Sequence, residues 1–229
     1  MVAFALIPGA GGRAWYWHRV APLLSAHGAH VVAVDLPADD DSADLDTYAA
    51  VVAAAVTDVS GPLVVVGQSM GALTAPIVAS RVPTAELVLV NPMVPKAGES
   101  GGQWWTVTGQ QAERIAHFER IGLPRTEFDF IEDFFHDVPA QVRAEALNSP
   151  DPAQSETPFG QPWPLHEWPD VPTRVIVGSD DRLFPLDFQR RVVRERLGLD
   201  VEVMPGGHLL ALSQPEELAS RLLAGVSVD

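Results

Sequence analysis

Apolar residues along this chain fall into short blocks, and the spacing within each block predicts a different element. Val2–Ile7, His30–Val34, Leu63–Val66, Glu86–Val90, Arg174–Val177 and Val201–Met204 are runs rich in Val, Leu and Ile, without clean polar alternation. Such runs fit strands of a parallel sheet, where helices cover both faces. Between them, Trp17–His27, Asp46–Val59, Ala72–Arg81, Phe188–Leu197 and Pro215–Val226 carry apolar residues at helical period. Gly28 and Gly198 stand as C-terminal stops, and Pro215 opens the last helix. The alternation predicts an α/β fold with a doubly wound, mostly parallel sheet of about six strands. Ligands are then expected outside the carboxyl ends of the strands.

Residues 94–168 break the rhythm. Trp104, Trp105, Phe118, Phe134, Phe135, Trp163 and Trp168 are among their aromatics, and a Pro-rich exit runs from Pro150 to Pro172. Helices are expected near Gln110–Ile121 and Ala140–Leu147, and no strand of the sheet is evident. The chain therefore divides into a core of residues 1–93 and 169–229 and a helical cap of residues 94–168. The cap is expected to lie over the carboxyl edge of the sheet.

Composition narrows the chemistry. A length of 229 residues suits one α/β domain, and 47% hydrophobic with 20% charged residues is ordinary for a globular one. No apolar run reaches the roughly 20 residues needed to cross a bilayer. Val2–Ile7 lacks a basic flank and a cleavage site and runs into Pro8-Gly9, so it reads as a strand and not a leader; a cytoplasmic location is expected. There is no cysteine, which excludes thiol catalysis, iron–sulfur clusters and cysteine-ligated zinc. No metal site and no cofactor is expected. The net charge of −15, with no basic block, argues against nucleic acid and anionic membranes as partners. Lys96 is the only lysine, which leaves Schiff-base chemistry little footing.

Gly67-Gln68-Ser69-Met70-Gly71 lies between a strong strand and a strong helix. A nucleophilic serine needs such a tight turn, with small residues two before and two after it, to lift its hydroxyl above the sheet. The helix N-terminus there favours developing negative charge. A hydroxyl also needs a base. Of the seven histidines, only His208 follows a predicted strand through a flexible turn, Pro205-Gly206-Gly207. His136, beside Asp137 in an aromatic stretch, is a candidate substrate contact. The base needs an acid, and Asp180-Asp181 ends the preceding strand, giving the chain order Ser, Asp, His. The N–H of Met70 and the loop Pro8-Gly9-Ala10-Gly11-Gly12 stand where an oxyanion hole would form. That loop has neither the dinucleotide nor the P-loop spacing of a phosphate cradle.

These residues together resemble the α/β-hydrolase superfamily, and specifically its small branch of methylesterases and hydroxynitrile lyases. The resemblance covers nearly the whole chain and rests on Pro-Gly-Ala-Gly-Gly-Arg-Ala-Trp-Tyr-Trp (8–17), Asp-Leu-Pro (35–37), Gly-Gln-Ser-Met-Gly (67–71) and His-Leu-Leu-Ala-Leu-Ser-Gln-Pro (208–215). It implies six parallel strands instead of eight, and Ala10 and Met70 as oxyanion donors. It also supplies the register of the acid. The superfamily acid commonly stands four residues before a proline that opens a helix, and Pro185 is four after Asp181. Asp180 would then bond the backbone of its own turn. Two positions depart from the branch: Pro8 and Gln68 stand where it usually has histidine, so the loop after the first strand must be held in another way.

The expected activity is a serine hydrolase acting on carboxylic esters of small apolar or aromatic molecules through an acyl-enzyme, with Ser69, His208 and Asp181 as triad. Trp104 and Trp105, in the cap over Ser69, are expected to bind substrate. The lyases of the branch use a lysine near the histidine, where this chain has Leu209. Two alternatives share the fold: an editing thioesterase, which would want a basic landing site for its carrier, and a silent ligand-binding homologue, which would lack a triad member.

Overall fold

The computed structural model describes residues 1–148 and 153–225. Six strands form one sheet: β1 (Ala3–Ile7), β2 (His30–Ala33), β3 (Leu63–Gln68), β4 (Glu86–Val90), β5 (Thr173–Gly178) and β6 (Glu202–Met204). All neighbours run parallel in the order β2-β1-β3-β4-β5-β6. Each strand matches an apolar run of the sequence to within two residues at either end.

The absence of polar alternation in these runs has a direct cause. Ala3, Ala5 and Ile7 face one apolar cluster, and Phe4 and Leu6 face a second on the other side. Helices α2 (Leu45–Ala55), α3 (Gly71–Ala79) and α9 (Leu186–Leu197) fill the first cluster with Tyr48, Val52, Ile77, Val78, Phe188 and Val192. Helices α1 (Ala21–Ala26) and α11 (Pro215–Ala224) cover the other face with Leu24, Leu218 and Leu222. Truncating one such buried leucine or isoleucine to alanine costs about 2–5 kcal/mol.

Helix boundaries follow local chemistry. The Trp17–His27 expectation splits into a 3-10 turn over Ala14–Trp17 and α1, because Pro22 in the first turn of α1 favours a new start there. Asp44 caps α2 by accepting from the Thr47 N–H at 2.8 Å. The last helix ends at Ala224; Val226 lies outside the described residues, as does Pro150.

Between β4 and β5 the chain carries α4 (Gly101–Thr108), α5 (Gln110–Arg120), α6 (Phe130–Phe134), α7 (Ala140–Asn148) and the single turn α8 (Thr157–Gly160). Ser100 and Gln103 close a reciprocal capping box on α4. Trp104 and Trp163 of this insert are buried in the same cluster as the sheet, so it packs into the main core instead of forming a separate one. A last short helix, α10 (Leu210–Ser213), precedes α11. Among the described residues no helix is long and apolar enough to cross a membrane.

Strand order sets where a site can form. The chain steps from β1 outward to β2, then returns to add β3 on the other side of β1. The loops after β1 and β3 therefore diverge at a switch point, leaving a crevice at their carboxyl ends.

Candidate active site

Ser69 occupies that switch point, between β3 and α3. Its φ of 51° lies in the left-handed region, rare for a residue with a side chain and worth about 1–3 kcal/mol of strain. The conformation is held by bonds from Ser69 N–H to Val90 O (2.9 Å) and from Met93 N–H to Ser69 O (3.1 Å). The flanking glycines are steric necessities. A Cβ on Gly67 would lie 2.7 Å from Ala75 Cβ, and one on Gly71 would lie 2.5 Å from the Pro8 carbonyl.

His208 arrives from the loop after β6. Its Nε2 stands 3.0 Å from the Ser69 hydroxyl, and its Nδ1 stands 2.8 Å from Asp181 Oδ2. A carboxylate only accepts, so Nδ1 carries the proton and Nε2 accepts from the serine. The second oxygen of Asp181 accepts from the N–H groups of Leu183 (2.9 Å) and Phe184 (2.8 Å). These bonds compensate the full burial of both side chains. The rings of Phe134 and Phe184 meet the imidazole edge-on, at centroid separations of 5.2 and 5.0 Å. They leave the ring little freedom to turn.

Ser69, His208, Met70 and residues 8–11 line a cavity of about 360 Å³ with Trp105, Phe130, Phe134, Phe135 and Phe159. Among the described residues the N–H groups of Ala10 and Met70 meet no acceptor, and both residues line the cavity together with Ser69. Tyr16 adds a polar atom to the wall; burial pushes its phenol well above the usual range, and its oxygen accepts from the Ala211 N–H at 3.3 Å. A shallow depression between Ser100 and Gly160 contains neither Ser69 nor His208.

Residues 4–221 match the model of the alpha/beta hydrolase family. The chain is an α/β-hydrolase. It is 26% identical to methylesterase 3 of Arabidopsis thaliana over 95% of this chain and 93% of that one. It is also 26% identical to a pyrethroid hydrolase of Sphingobium wenxiniae, over 95% of this chain and 85% of the other. A crystal structure of a pyrethroid hydrolase from Sphingobium faniae shares the fold, with a TM-score of 0.75 at 24% identity over 98% and 97% of the two chains.

Two residues expected at the substrate lie elsewhere in this hydrolase. Trp104 does not line the cavity. It is 1% exposed, donates from Nε1 to Val94 O at 2.9 Å, and packs on Phe184 and Phe188. An amphipathic helix can show only one of two adjacent tryptophans to the cavity, and α4 shows Trp105. His136 does not line the cavity either. Its Nε2 donates to the Asp180 carbonyl at 3.0 Å, while Asp137 accepts from the Gly207 N–H at 2.6 Å. The pair ties the insert to the two loops that carry Asp181 and His208. Asp180 is exposed and accepts from Gly206 N–H (3.3 Å) and the Ser179 hydroxyl (2.7 Å), so it links to the histidine loop instead of its own backbone.

Asn91 was not marked by any sequence pattern. This fully buried residue, at φ 43°, donates from Nδ2 to the carbonyls of Gly207 and His208, both at 3.0 Å. Its Oδ1 accepts from the Gly178 N–H at 2.8 Å. One side chain thus fixes the ends of β4 and β5 to the histidine loop. Its only sequence signal is an asparagine at the carboxyl end of an apolar strand. Among the described residues no group of three acidic, histidine or cysteine side chains is placed to hold a metal ion.

Proposed function

We propose that this α/β-hydrolase cleaves carboxylic esters of small apolar or aromatic molecules through an acyl-enzyme on Ser69. The observation that carries this reading is the unbroken line Ser69 Oγ, His208, Asp181, at 3.0 and 2.8 Å, on the floor of an aromatic cavity. His208 takes the serine proton as Ser69 Oγ attacks the ester carbonyl carbon. The tetrahedral intermediate places its negative oxygen toward the N–H groups of Ala10 and Met70, whose preorganised dipoles stabilise it. Collapse expels the alkoxide, which receives the proton from His208 Nε2. Water, deprotonated by His208, then attacks the acyl carbon and releases the acid and free Ser69. Asp181 holds the imidazole in the needed tautomer throughout.

The names of the methylesterase and pyrethroid hydrolase relatives support an ester as substrate. The apolar wall supports a substrate without charge at the reacting end, and residues 94–168 serve as its lid. Cyanohydrin cleavage is disfavoured, because Leu209 lines the cavity beside His208 and the sole lysine, Lys96, is exposed outside it.

The test is covalent labelling joined to turnover. A fluorophosphonate should label wild-type protein at Ser69, and p-nitrophenyl esters of increasing acyl length should be hydrolysed. Ser69→Ala should stay folded, lose the label, and lose turnover by at least about a thousandfold. Retention of a tenth of wild-type turnover would refute the acyl-enzyme route.

A further inference from the structure

The loop Pro8–Gly12 must present one N–H to the reacting oxygen, yet its first residue is a proline with no N–H to anchor it. Among the described residues three bonds hold the loop. Gly12 N–H reaches back to Gly9 O at 3.1 Å, Leu36 N–H donates to Gly12 O at 2.7 Å, and Gly11 N–H donates to Gln154 Oε1 at 2.9 Å. The last partner comes from the insert, 143 residues away along the chain.

Gln154 is itself held at both ends. An N–H can only face an acceptor, so its carbonyl end points to Gly11 and its amide nitrogen points away. That nitrogen donates to the Tyr48 hydroxyl at 3.2 Å and to Ser155 O at 3.0 Å. Tyr48 is buried in the core on α2. The residues that follow are stitched to the same region: Ser155 N–H to Ala38 O (2.7 Å), Thr157 Oγ1 to Asp41 O (2.8 Å), and Leu45 N–H to Gln161 Oε1 (2.8 Å). Residues 154–161 form a strap pinned along 38–48, with the Gln154 amide reaching from it into the cavity wall.

We propose that Gln154 is a positioning residue of the oxyanion hole. The inference rests on the serine-hydrolase reading above and assigns part of its machinery. The peptide group between Ala10 and Gly11 is planar, so fixing the Gly11 N–H also fixes the direction of the Ala10 carbonyl. The rotation left to Ala10 is thereby narrowed, and its own N–H is held toward Ser69. An oxyanion donor acts through being aimed before the charge develops, so a loop free to swing would lose much of that effect. The insert thus completes the hole through one side chain, and the hole is complete only while the strap is docked.

Gln154→Met keeps the length of the side chain and removes the acceptor. On p-nitrophenyl butyrate, kcat should fall by about ten- to a hundredfold while KM changes by less than about threefold, as expected for a group acting mainly on the transition state. Affinity for a trifluoromethyl ketone, which adds to Ser69 as a tetrahedral oxyanion, should fall by the same factor as kcat/KM. Inhibition by butyrate, the product acid, should hardly change. Tyr48→Phe, which removes one of the two acceptors of the amide nitrogen, should move kcat in the same direction by less. Turnover is counted per site titrated with fluorophosphonate, so unfolded protein does not enter; if the methionine variant fails to fold, Gln154→Ala is measured in the same way. A kcat within about twofold of wild type would overturn the proposal. So would equal losses for ketone and butyrate, which would make Gln154 a wall residue only. Wild-type protein that neither takes the label nor hydrolyses any ester would instead remove the serine reading itself.

Discussion

The carboxylate of Asp181 meets Nδ1 of His208 at 2.8 Å across 27 residues of chain, while its neighbour Asp180 faces solvent. Successive side chains leaving a strand point to opposite sides, so only one of two adjacent aspartates can reach the imidazole. The expected consequence is asymmetric. Asp181→Asn should lower kcat by about ten-thousandfold, by losing the partner of the imidazolium and its tautomer. Asp180→Asn should leave kcat within a few-fold and cost about 1 kcal/mol in urea unfolding, through its weakened bond to Gly206. Equal kinetic losses in the two variants would contradict the assignment.

Trp104 and Trp105 are adjacent yet should behave as different kinds of residue. Trp104→Ala removes a ring buried against Phe184 and Phe188 and should cost about 3–5 kcal/mol of stability. Trp105→Ala should leave a stable protein whose KM rises for bulky aryl esters more than for acetyl esters, since Trp105 lines the cavity. Thermal unfolding and a two-substrate kinetic comparison separate them; a KM change confined to the Trp104 variant would reverse the assignment.

Asn91→Ala takes the bonds of Asn91 from the Gly207 carbonyl and the Gly178 N–H in a buried site, and leaves the His208 carbonyl only a long bond from Gln68 Nε2, at 3.4 Å. Each unmet buried group costs about 1–3 kcal/mol, so a loss of at least about 2 kcal/mol is expected by denaturant titration. Because both carbonyls belong to the histidine loop, kcat should fall along with stability. Unchanged kcat in the folded variant would show that the loop keeps its shape without this clamp.

Acid should weaken the protein partly through His117. Burial, and then the nearby Arg120 cation, hold its imidazole below the ordinary value, against the opposite pull of Asp181 and Asp180. The unfolded chain therefore binds this proton at higher pH than the folded protein does. Stability from this group is complete above the ordinary histidine range and is lost as pH falls through it. His117→Gln should show a smaller drop in Tm between about pH 7.5 and pH 5.5 than wild type, because one titrating group is removed. An identical drop would exclude His117 as a contributor.

Much of this molecule was legible in the order of its residues. The runs Val2–Ile7 and Leu63–Val66 had to be two-faced strands, because an apolar residue at every position has no solvent side to face. Gly67-Gln68-Ser69-Met70-Gly71 between a strand and a helix marked the turn that lifts Ser69, and the glycine behind His208 marked a second loop at the same edge. These features depend on neighbours in the chain, and local sterics and periodicity report neighbours. The tertiary structure alone decided which of Trp104 and Trp105 faces the cavity, and it turned His136 from the substrate to the Asp180 carbonyl. It also brought Asn91 under the histidine loop and Gln154 to Gly11. The partners in those last two bonds stand 117 and 143 residues apart. No periodicity connects positions at such distances; the assembly of the sheet brings Asn91 to the histidine loop, and the packing of the insert onto the core brings Gln154 to Gly11.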